Sequence, residues 1–567
     1  MPDATAYIDR FRNNVQRSGD KEALIFLDVL DGAVVESALS YSDLDCRARA
    51  VAVVLRSHLT PGERALLLYP PGPDFVVGFL GALMAGVVAV PAPVPDGRAT
   101  GQERLTRIAL DAGVTAVLTS ATFAPLVRSW ASDLPSDPWV LATDSVAVEN
   151  AADWFAVDID GETDAFLQYT SGSTSEPKGV IVTHENLGDN QREIGAALGT
   201  DENIIVCGWL PQFHDMGLIG MTLHPLWCGA SLVFMSPVTF LKRPRRWLEA
   251  LHRYRATITL APNFAFDYVV RRVRPETIRD LDFSSVATVL TGAEPVQAAS
   301  IHGFVDLLSP CGLKPQAMTP VYGLAEATLF VTGTPISAGS VEFEASARLL
   351  AENVLEEAID ATDTRRLVSS GRPQSLDVAI VDPNSGSECA PHHVGEIWVH
   401  GRSVARGYWN MPEESAHTFD GRLRGHGGWL RTGDLGAMLD GHLFVTGRIK
   451  DTIILNGRNL YAHDIESAAR RASPAVASGV GAAFAVDSPE RLVLVHEIDP
   501  GLLEADTVES LSGRICAVIW EESSAAVSDL LLVSKGAVAR TSSGKIRRTR
   551  MRELYETGGI MPIATTE

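Results

Sequence analysis

From the N-terminus to about residue 330, short apolar runs alternate with stretches whose apolar residues have helical spacing. Short apolar runs bounded by turn residues are typical of buried strands. The candidate strands are Leu66 to Tyr69, Ala116 to Leu118, Ile204 to Cys207, Leu232 to Met235, Ile258 to Ala261 and Ala287 to Thr291. Because strands that alternate with helices build parallel layers, this region is predicted to be α/β.

The pattern changes twice further along the chain. From Val378 to Tyr408 the strands come with turns and without a long helix, which predicts a small β-rich subdomain. After Arg448, helical and strand patterns return, and we predict a large domain over residues 1–449 and a separate small α+β domain over 450–567. The elements predicted in the small domain are a helix around Ile465 to Arg471 and strands near Val480 to Val486 and Leu492 to Ile498.

The segment from Phe75 to Pro95 contains no charged residue and is close to the length of a bilayer span. Three prolines at positions 91, 93 and 95 would break a spanning helix. The segment instead fits a buried helix from Phe75 to Ala85, a cap at Gly86 and a core strand from Val87 to Val90. We therefore predict no membrane span.

Composition narrows the class of protein. With 46% hydrophobic and 21% charged residues, the 567-residue chain has an ordinary globular composition. Its formal charge of −22 makes nucleic acid a poor partner, because binding it requires phosphate neutralisation by Lys and Arg. The six cysteines show no C-x-x-C pair, and Met1 to Thr5 lacks the basic and apolar regions of a secretory signal. These features predict a cytoplasmic protein with reduced thiols.

The segment from Tyr169 to Gly179 concentrates five Ser/Thr hydroxyls, two glycines and one lysine in a single turn. Hydroxyls and backbone N–H groups donate to phosphate oxygens, glycine permits close approach, and lysine adds positive charge. Strand-like runs on both sides argue against the alternative of a flexible linker. Since Gly179 follows the lysine, the turn is not a Walker phosphate loop. The candidate phosphate-binding residues are Thr170, Ser171, Gly172, Ser173, Thr174 and Lys178.

Later motifs supply chemistry that a phosphate turn lacks. Tyr322 to Glu326 combines an aromatic face for a nucleotide base with a carboxylate suited to Mg²⁺. Asp434 lies in a turn where it can accept hydrogen bonds from ribose hydroxyls. Arg448 and Lys450 add cations at the predicted domain boundary, and Lys545 ends a polar turn near the C-terminus. Each of these residues, taken alone, also fits a purely structural role. Their joint order along the chain is what supports the functional interpretation.

In this order the motifs resemble those of the adenylate-forming superfamily of acyl-CoA synthetases, peptide-synthetase adenylation domains and luciferases. The likeness runs nearly from end to end, and within the superfamily the chain is most similar to the fatty acyl-AMP ligases. The matching segments are Leu167 to Thr174, Trp209 to Leu218, Gly292 to Pro295 and Tyr322 to Thr328. The resemblance implies a large N-terminal adenylation domain and a small mobile C-terminal domain.

The resemblance also implies a role for each matching residue. Thr170 to Thr174 and Lys178 would hold the ATP phosphates, Ala293, Glu294 and Tyr322 would border the adenine, and Gly323 would also bind ATP. Asp434 and Arg448 would hold the ribose, Lys450 would be the hinge, and Glu326 would bind Mg²⁺. His214 would lie near the acyl carboxylate, and Lys545 would reach the α-phosphate and that carboxylate. This assignment is chemically sound, because a carboxylate attacking the α-phosphate brings negative charges together.

The acceptor of the acyl group distinguishes two interpretations. The resemblance implies transfer to the phosphopantetheine thiol of a separate acyl carrier protein, and the alternative is a fatty acyl-CoA synthetase. An insertion that restrains the small domain would separate them, and Ser337 to Arg366 is long enough to contain it or to be an ordinary surface loop. Two basic clusters are candidates for docking an acidic carrier, unless they are merely solvated helix faces. They comprise Lys242, Arg243, Arg245, Arg246, Arg253 and Arg255, and Arg547, Arg548, Arg550 and Arg552.

Two further alternatives and one departure from the family pattern bear on the prediction. An amino-acid-activating domain fits less well, because such domains normally come with fused carrier modules. A nucleotide-binding scaffold without catalysis is disfavoured, because Lys178, Glu326, Asp434 and Lys545 are all present. Alanine also replaces the family's common proline at positions 462 and 539, which makes loop rigidity near the hinge less certain. We predict an ATP- and Mg²⁺-dependent fatty acyl-AMP ligase.

Overall fold

The computed structural model describes residues 7–30, 32–95, 99–170, 177–455, 458–486, 490–503, 507–523, 525–541 and 544–563. Its α-helices are α1 (Tyr7–Ser18), α2 (Tyr41–Arg56), α3 (Pro73–Ala85), α4 (Ala99–Ala112), α5 (Ala124–Ala131), α6 (His184–Leu198), α7 (His224–Cys228), α8 (Pro237–Lys242), α9 (Arg245–Arg253), α10 (Asn263–Arg272), α11 (Ala298–Leu308), α12 (Ala347–Ala351), α13 (Pro412–Phe419), α14 (Ala462–Arg471), α15 (Pro474–Ala477), α16 (Val508–Ser523) and α17 (Arg548–Glu556). A π-helix, Met216–Leu223, precedes α7.

The strands of the large domain fall into an α/β part and a later β-rich part. In the first part they are β1 (Glu22–Leu30), β2 (Ala33–Ser40), β3 (Arg64–Leu67), β4 (Val88–Pro91), β5 (Ala116–Thr119), β6 (Trp139–Ala142), β7 (Asp164–Thr170), β8 (Lys178–Thr183), β9 (Ile205–Gly208), β10 (Ser231–Met235), β11 (Ile258–Pro262), β12 (Thr288–Gly292), β13 (Met318–Gly323) and β14 (Phe330–Gly333). Next come β15 (Glu342–Ser346), β16 (Thr364–Val368), β17 (Arg372–Pro373), β18 (Asp377–Val381), β19 (Gly395–His400), β20 (Gly407–Tyr408), β21 (Gly421–Leu423), β22 (His426–Leu439) and β23 (His442–Arg448).

Two large sheets with parallel centres carry the α/β part. One has the order β17-β14-β13-β12-β11-β9-β10-β1-β2, with parallel pairing from β13 through β1. The other has the order β20-β8-β7-β4-β3-β5-β6, with parallel pairing from β7 through β6. The predicted α/β class is therefore confirmed, and each predicted strand lies within one or two residues of an observed one.

The charge-free segment forms a core helix and strand, as predicted. Pro73 begins α3, and Gly86 ends it in the left-handed conformation at φ 71°. Every residue of α3 from Phe75 to Ala85 is buried, so its apolar surface packs against protein. Elsewhere in the described ranges, too, every helix is too short or too polar to cross a membrane.

A β-rich subdomain follows the large sheets. Strands β18, β19, β22 and β21 are neighbours in that order, and β23 pairs antiparallel with β22. Strand β22 is 14 residues long and brings Asp434 opposite Arg448 of β23. Two candidate site residues from separate motifs therefore become cross-strand partners.

The C-terminal residues form a small α+β unit with a core of its own. Its strands are β24 (Thr452–Leu455), β25 (Arg458–Tyr461), β26 (Gly481–Val486), β27 (Arg491–Ile498) and β28 (Val527–Ser534). Helices α14 and α16 pack on one face of the β26-β27-β28 sheet, and α17 packs on the other. The boundary between residues 449 and 450 stays a prediction; it coincides with a short 3-10 helix, Ile449–Asp451.

Candidate active site

A cleft of about 2840 Å³ lies between the large domain and the C-terminal unit. It gathers side chains from motifs more than 370 residues apart in sequence, since Thr170 and Lys545 both line it. The other predicted site residues that line it are Lys178, His214, Ala293, Glu294, Tyr322, Gly323, Glu326, Asp434, Arg448 and Lys450. The predicted residues Ser171, Gly172, Ser173 and Thr174 lie outside the described residues.

The sheet topology explains why these motifs meet. Strands β9, β11, β12 and β13 are parallel, so their carboxyl ends lie at one edge of the sheet. The segments after β9, β12 and β13 carry His214, Ala293 and Glu326, respectively. Ligands of open α/β sheets bind at this edge.

Lys178 lies at the end of the predicted phosphate-binding segment from Tyr169 to Gly179, here named the phosphate turn. It is held there by its strand and by a carboxylate. The residue pairs with Thr170 across β7 and β8, which brings the two ends of the turn together. Its Nζ forms an ion pair with Glu414 and lies 4.9 Å from the ring centre of Tyr408. The hydrogen bond from Lys178 holds the pKa of Glu414 below its usual value. Glu414 therefore pairs with the ammonium group that would otherwise be available to an anionic ligand.

Glu326 is bound by the same tyrosine that contacts this lysine. The hydroxyl of Tyr408 donates to Glu326 Oε1 over 2.9 Å. Burial, and then the negative charge of Glu326, raise the pKa of Tyr408, so the phenol remains a neutral donor. The hydrogen bond fixes the direction of the Glu326 carboxylate toward the cleft.

Asp434 is the centre of a buried hydrogen-bonded network. Its Oδ2 accepts from the hydroxyl of Tyr322 at 2.8 Å, and its Oδ1 accepts from Arg448 Nε at 2.7 Å. Asp434 is only 7% exposed, whereas half of Arg448 faces solvent. The negative charge of Asp434 raises the pKa of Arg448 above its usual value. This network positions a carboxylate and a guanidinium on rigid strands.

Ala293 and Glu294 follow β12 in an unusual backbone conformation. Ala293 has φ 66°, in the left-handed region that favours glycine. At the preceding Gly292, a Cβ would lie 2.8 Å from Val321 O, so only glycine permits this approach of β12 and β13. Glu294 Oε1 accepts from the Phe264 backbone N–H at 2.6 Å, and burial raises its pKa. Strained backbone of this kind is typical of ligand sites.

His214 and Lys545 reach the cleft from opposite domains and share an acidic neighbour. His214 Nδ1 lies 2.5 Å from Asp215 Oδ1. Burial alone would raise the pKa of Asp215, but its interactions with His214, followed by the charge of Lys545, outweigh burial and lower that pKa to about 2. Burial, followed by the charge of Arg448, lowers the pKa of Lys545. Lys545 therefore lies within electrostatic reach of Asp215 and Arg448.

The turn that carries Lys545 is defined by its own backbone hydrogen bonds. The Thr541 N–H donates to Lys545 O at 2.8 Å, and the Gly544 N–H donates to Thr541 O at 2.9 Å. At Ala539, where proline is common in the family, the backbone N–H donates to Met551 Sδ. Proline has no N–H, so alanine here retains a contact between the turn and α17. The other replacement, Ala462, begins α14 and is buried.

The sequence analysis missed three residues of this site. Asp215 lies within the matching segment Trp209 to Leu218, but no role was predicted for it. Tyr408 contacts both Lys178 and Glu326, and its position follows from pairing of β20 with β8. Glu414 is 236 residues from its partner Lys178. Tyr408 had a weak signal in its Gly-Tyr-Trp run, but nothing local to α13 points to Glu414.

The segment from Ser337 to Arg366 forms a hairpin instead of an ordinary surface loop. Strands β15 and β16 pair antiparallel around α12 and pack on Phe444 and Tyr461. Arg365 Nη2 forms an ion pair with Asp464 of α14 at 2.8 Å, and the guanidinium lies over Tyr461. The hairpin therefore contacts the C-terminal unit directly.

Comparison with known proteins agrees with this geometry. The family model described as "AMP-binding enzyme" matches residues 11–409. The medium-chain-fatty-acid–[acyl-carrier-protein] ligase JamA of Moorena producens is 38% identical over 573 residues, covering 99% of this chain and 96% of the relative. The long-chain-fatty-acid–AMP ligase FadD32 of Mycolicibacterium smegmatis is 38% identical over 610 residues, with coverage of 99% and 96%.

The structure of one relative has been solved with its ligands bound. The fatty acyl-adenylate ligase of Legionella pneumophila, in complex with acyl adenylate and pyrophosphate, superimposes with a TM-score of 0.77 at 35% identity. The match covers 99% of this chain and 98% of that one. The fold and the cleft therefore define an adenylate-forming enzyme. Within that class, the chain belongs to the fatty acyl-AMP ligase family.

Proposed function

We propose that this protein joins a fatty acid to AMP, using ATP and releasing pyrophosphate, and then passes the acyl group to the phosphopantetheine thiol of a separate acyl carrier protein, which forms a thioester and releases AMP. One observation carries the proposal: Lys545, Arg448 and His214 face one cleft beside the phosphate turn. The relatives named for acyl-carrier-protein and AMP ligation support the same reaction.

The wall of the cleft has a polar part and an apolar part, which suits a fatty acid. Its polar part holds the ionisable groups described above. Another part is apolar and is formed by buried residues of α6 and the large sheet. These residues are Ile194, Leu198, Val206, Leu260 and Leu290. An alkyl chain among them would be removed from water, while its carboxylate would lie near His214.

In the proposed reaction, a carboxylate oxygen of the fatty acid attacks the α-phosphorus of ATP. A new phosphorus–oxygen bond forms, the bond to the bridging oxygen of the β-phosphate breaks, and pyrophosphate leaves with the bonding electrons. Negative charge accumulates on the α-phosphate oxygens during this step. Lys545 and Arg448 would stabilise that charge, and Asp434 would hold the ribose while orienting Arg448.

Magnesium fits the residues that line the phosphate end of the cleft. Among the described residues, no group of three His, Cys, Asp or Glu side chains is arranged to hold a metal ion. Mg²⁺ bound with ATP usually takes one or two protein carboxylates and otherwise uses phosphates and water. Glu326, oriented by Tyr408 next to Lys178, meets that requirement. The ion would neutralise charge on the phosphates.

The hairpin contact supports a carrier protein over CoA as the acceptor. Acyl transfer requires the lysine turn to leave the acyl-AMP and a thiol to approach it. The Arg365–Asp464 ion pair and the packing of Phe343 on Phe444 connect the hairpin, the β-rich subdomain and α14. We propose that these contacts restrain the small domain, so that CoA alone reacts slowly.

The two basic clusters that are candidates for carrier docking differ in their exposure and in their ion pairs. In the C-terminal cluster, Arg548 is buried against Glu466 and Asp451, while Arg550 pairs with Glu553. In the other cluster, Lys242 and Arg243 are exposed beside Leu241 at the edge of the cleft, without an acidic partner among the described residues. We therefore propose that the acidic carrier docks at Lys242 and Arg243.

Product analysis tests the proposed function directly. Purified protein, ATP, Mg²⁺ and a series of fatty acids would be incubated alone, with CoA, and with a phosphopantetheinylated carrier protein. We expect acyl-AMP to accumulate, to persist with CoA, and to decline as acyl-carrier forms. Rapid acyl-CoA formation would contradict the choice of acceptor, and absence of acyl-AMP would contradict the proposed reaction. Charge reversal at Lys242 and Arg243 should slow only the transfer step.

A further inference from the structure

One buried histidine lies in the apolar part of the cleft and has no role in the reaction proposed above. His224 is the first residue of α7 and is only 2% exposed. It lines the cleft together with the apolar residues that would surround an alkyl chain. A polar side chain that is buried in such surroundings needs hydrogen-bond partners from the protein.

Both ring nitrogens of His224 have such partners. Nδ1 lies 2.8 Å from Gln191 Oε1, and Nε2 lies 2.8 Å from Thr200 Oγ1. Because the oxygen of Gln191 can only accept, Nδ1 carries the proton and Nε2 accepts from the Thr200 hydroxyl. Burial lowers the pKa of His224 to about 3, so the ring is uncharged at pH 7. The ring is therefore held on two sides, and only its carbon atoms remain as a contact surface for an alkyl chain.

His224 and His214 lie at opposite ends of the large sheet. His214 follows the carboxyl end of β9, and the π-helix and α7 then lead the chain back to the amino end of β10, which is parallel to β9. Thr200, the partner of His224, precedes the amino end of β9. The proposed carboxylate end of the acyl site and the imidazole of His224 are thus separated by the length of the strands.

The apolar wall between these two ends is formed on one side by the sheet. Ile258 and Leu260 are two residues apart on β11, so both lie on the same face of the sheet. Ile258 is the first residue of β11 and pairs with Val206 of β9. All three line the cleft. The apolar wall therefore continues to the amino end of β11, the end of the sheet at which His224 lies.

Helix α6 forms the other side of the wall and also holds the histidine. Gln191, Ile194 and Leu198 are spaced three and four residues apart, which places them on one face of α6. Ile194 and Leu198 line the cleft, while Gln191 binds His224. The position of the imidazole is therefore fixed relative to the apolar wall.

Strand β11 gives the depth of this apolar pocket. At about 3.3 Å per residue, the stretch from Pro262 at the carboxyl edge to Ile258 covers about 13 Å. An extended alkyl chain advances about 1.3 Å per carbon, because its carbon–carbon bonds are about 1.5 Å long. About ten carbons therefore fit between the carboxyl edge and the far end of the pocket.

We infer that His224 closes the far end of the acyl site and limits the preferred substrate to a fatty acid of about ten carbons. The inference rests on the proposed function and specifies which acids the enzyme activates. A longer chain would have to displace the imidazole and break its hydrogen bonds with Gln191 and Thr200, which is costly for buried groups. A shorter chain would leave part of the apolar wall without contact.

Binding of acyl-AMP analogues of graded length tests this limit. Calorimetry with the full chain would compare non-hydrolysable analogues with acyl chains of about 8 to about 16 carbons, a range that brackets the expected length. Wild-type affinity should be highest near ten carbons and fall about 10-fold or more once the chain exceeds the pocket. In His224→Ala the preferred length should increase by about two to three carbons, because the imidazole no longer fills the far end.

Two further variants make the comparison specific. His224→Asn keeps an amide that can bond with Gln191 but has a shorter side chain, so the preferred length should increase by less than in His224→Ala. It also keeps the experiment decisive should His224→Ala fail to fold. The matched control is His184→Ala, because His184 is equally buried but is not among the described residues that line the cleft. This control should keep the wild-type length preference.

Three results would overturn the inference. The first is wild-type affinity that keeps rising well beyond about ten carbons. The second is an unchanged length preference in His224→Ala and His224→Asn, and the third is an equal shift in His184→Ala, which would indicate general loosening of the fold. Because calorimetry needs no turnover, failure of this length limit is distinguishable from failure to form acyl-AMP.

Discussion

The two sides of the cleft hold their charged groups in different ways. On the large domain, Asp434 is buried and bonded to both Tyr322 and Arg448, which lie on strands of two different sheets. On the C-terminal unit, Lys545 extends from a short turn whose hydrogen bonds are mostly its own. The difference indicates that the side proposed to hold the nucleotide is rigid, whereas the position of the proposed catalytic lysine depends on the C-terminal unit. Such a division suits an enzyme whose lysine must leave before the second step.

The strongest test of this comparison is removal of the lysine. Lys545→Ala should reduce acyl-AMP formation by about 10²- to 10³-fold, as for loss of a donor aimed at transition-state charge. Formation of hydroxamate from acyl-AMP measures the rate. Arg550 of the same unit pairs with Glu553, and Arg550→Ala is a control that should retain activity. An unchanged rate in Lys545→Ala would remove this residue from the mechanism.

The rigid side is tested by Asp434→Ala. This change removes the acceptor of Tyr322 and Arg448, so both donors lose their orientation. We expect the KM for ATP to rise by about 10- to 100-fold, as for loss of hydrogen bonds to a charged group. The exposed Asp440 lies on the turn after β22, and Asp440→Ala should leave the KM for ATP near its wild-type value. Equal KM values for wild type and Asp434→Ala would contradict the ribose assignment.

The lowered pKa of Asp215 predicts how the free energy of unfolding depends on pH. Its pKa is lowered from 3.8 to about 2, so the ionised form stabilises the folded protein above pH 4. This contribution is lost as pH falls from about 4 to about 2. Asp215→Asn should therefore lower the free energy of unfolding at pH 7 by about 2 kcal/mol, and the difference should vanish as the pH falls below about 2.

Urea unfolding at a series of pH values measures this effect. Asp9→Asn, at an exposed position on α1, should follow the wild type throughout. A stability difference between Asp215→Asn and wild type that is the same at all pH values would show that packing, not ionisation, is responsible.

The smallest expected effect concerns the contact between the hairpin and the C-terminal unit. Arg365→Ala breaks the ion pair with Asp464 and should speed acyl-CoA formation about two- to fivefold, because partly exposed ion pairs contribute little. Adenylation should not change. The adjacent Arg366 pairs with Glu344 inside the hairpin, so Arg366→Ala is the matched control. Identical CoA reactivity of both variants and the wild type would argue against a restraint by this contact.

Much of the fold and many of the candidate site residues followed from local pattern. Short apolar runs marked the strands within one or two residues, because burial selects such runs irrespective of the partner strand. Four candidate site residues lie in motifs whose chemistry can be inferred from the residue types themselves: Lys178, Glu326, Asp434 and Lys545. Glu414 was not found, because its partner Lys178 is distant in sequence.

The sequence by itself determined the α/β class, the order of the motifs and the chemistry that each turn can perform. These properties depend on neighbours within a few residues, which hydrophobic periodicity and turn composition record directly. Only the tertiary structure decided which turns meet in one cleft and that the Ser337 to Arg366 segment contacts α14. Those outcomes depend on sheet order and domain orientation, which arise from packing between residues far apart in the chain.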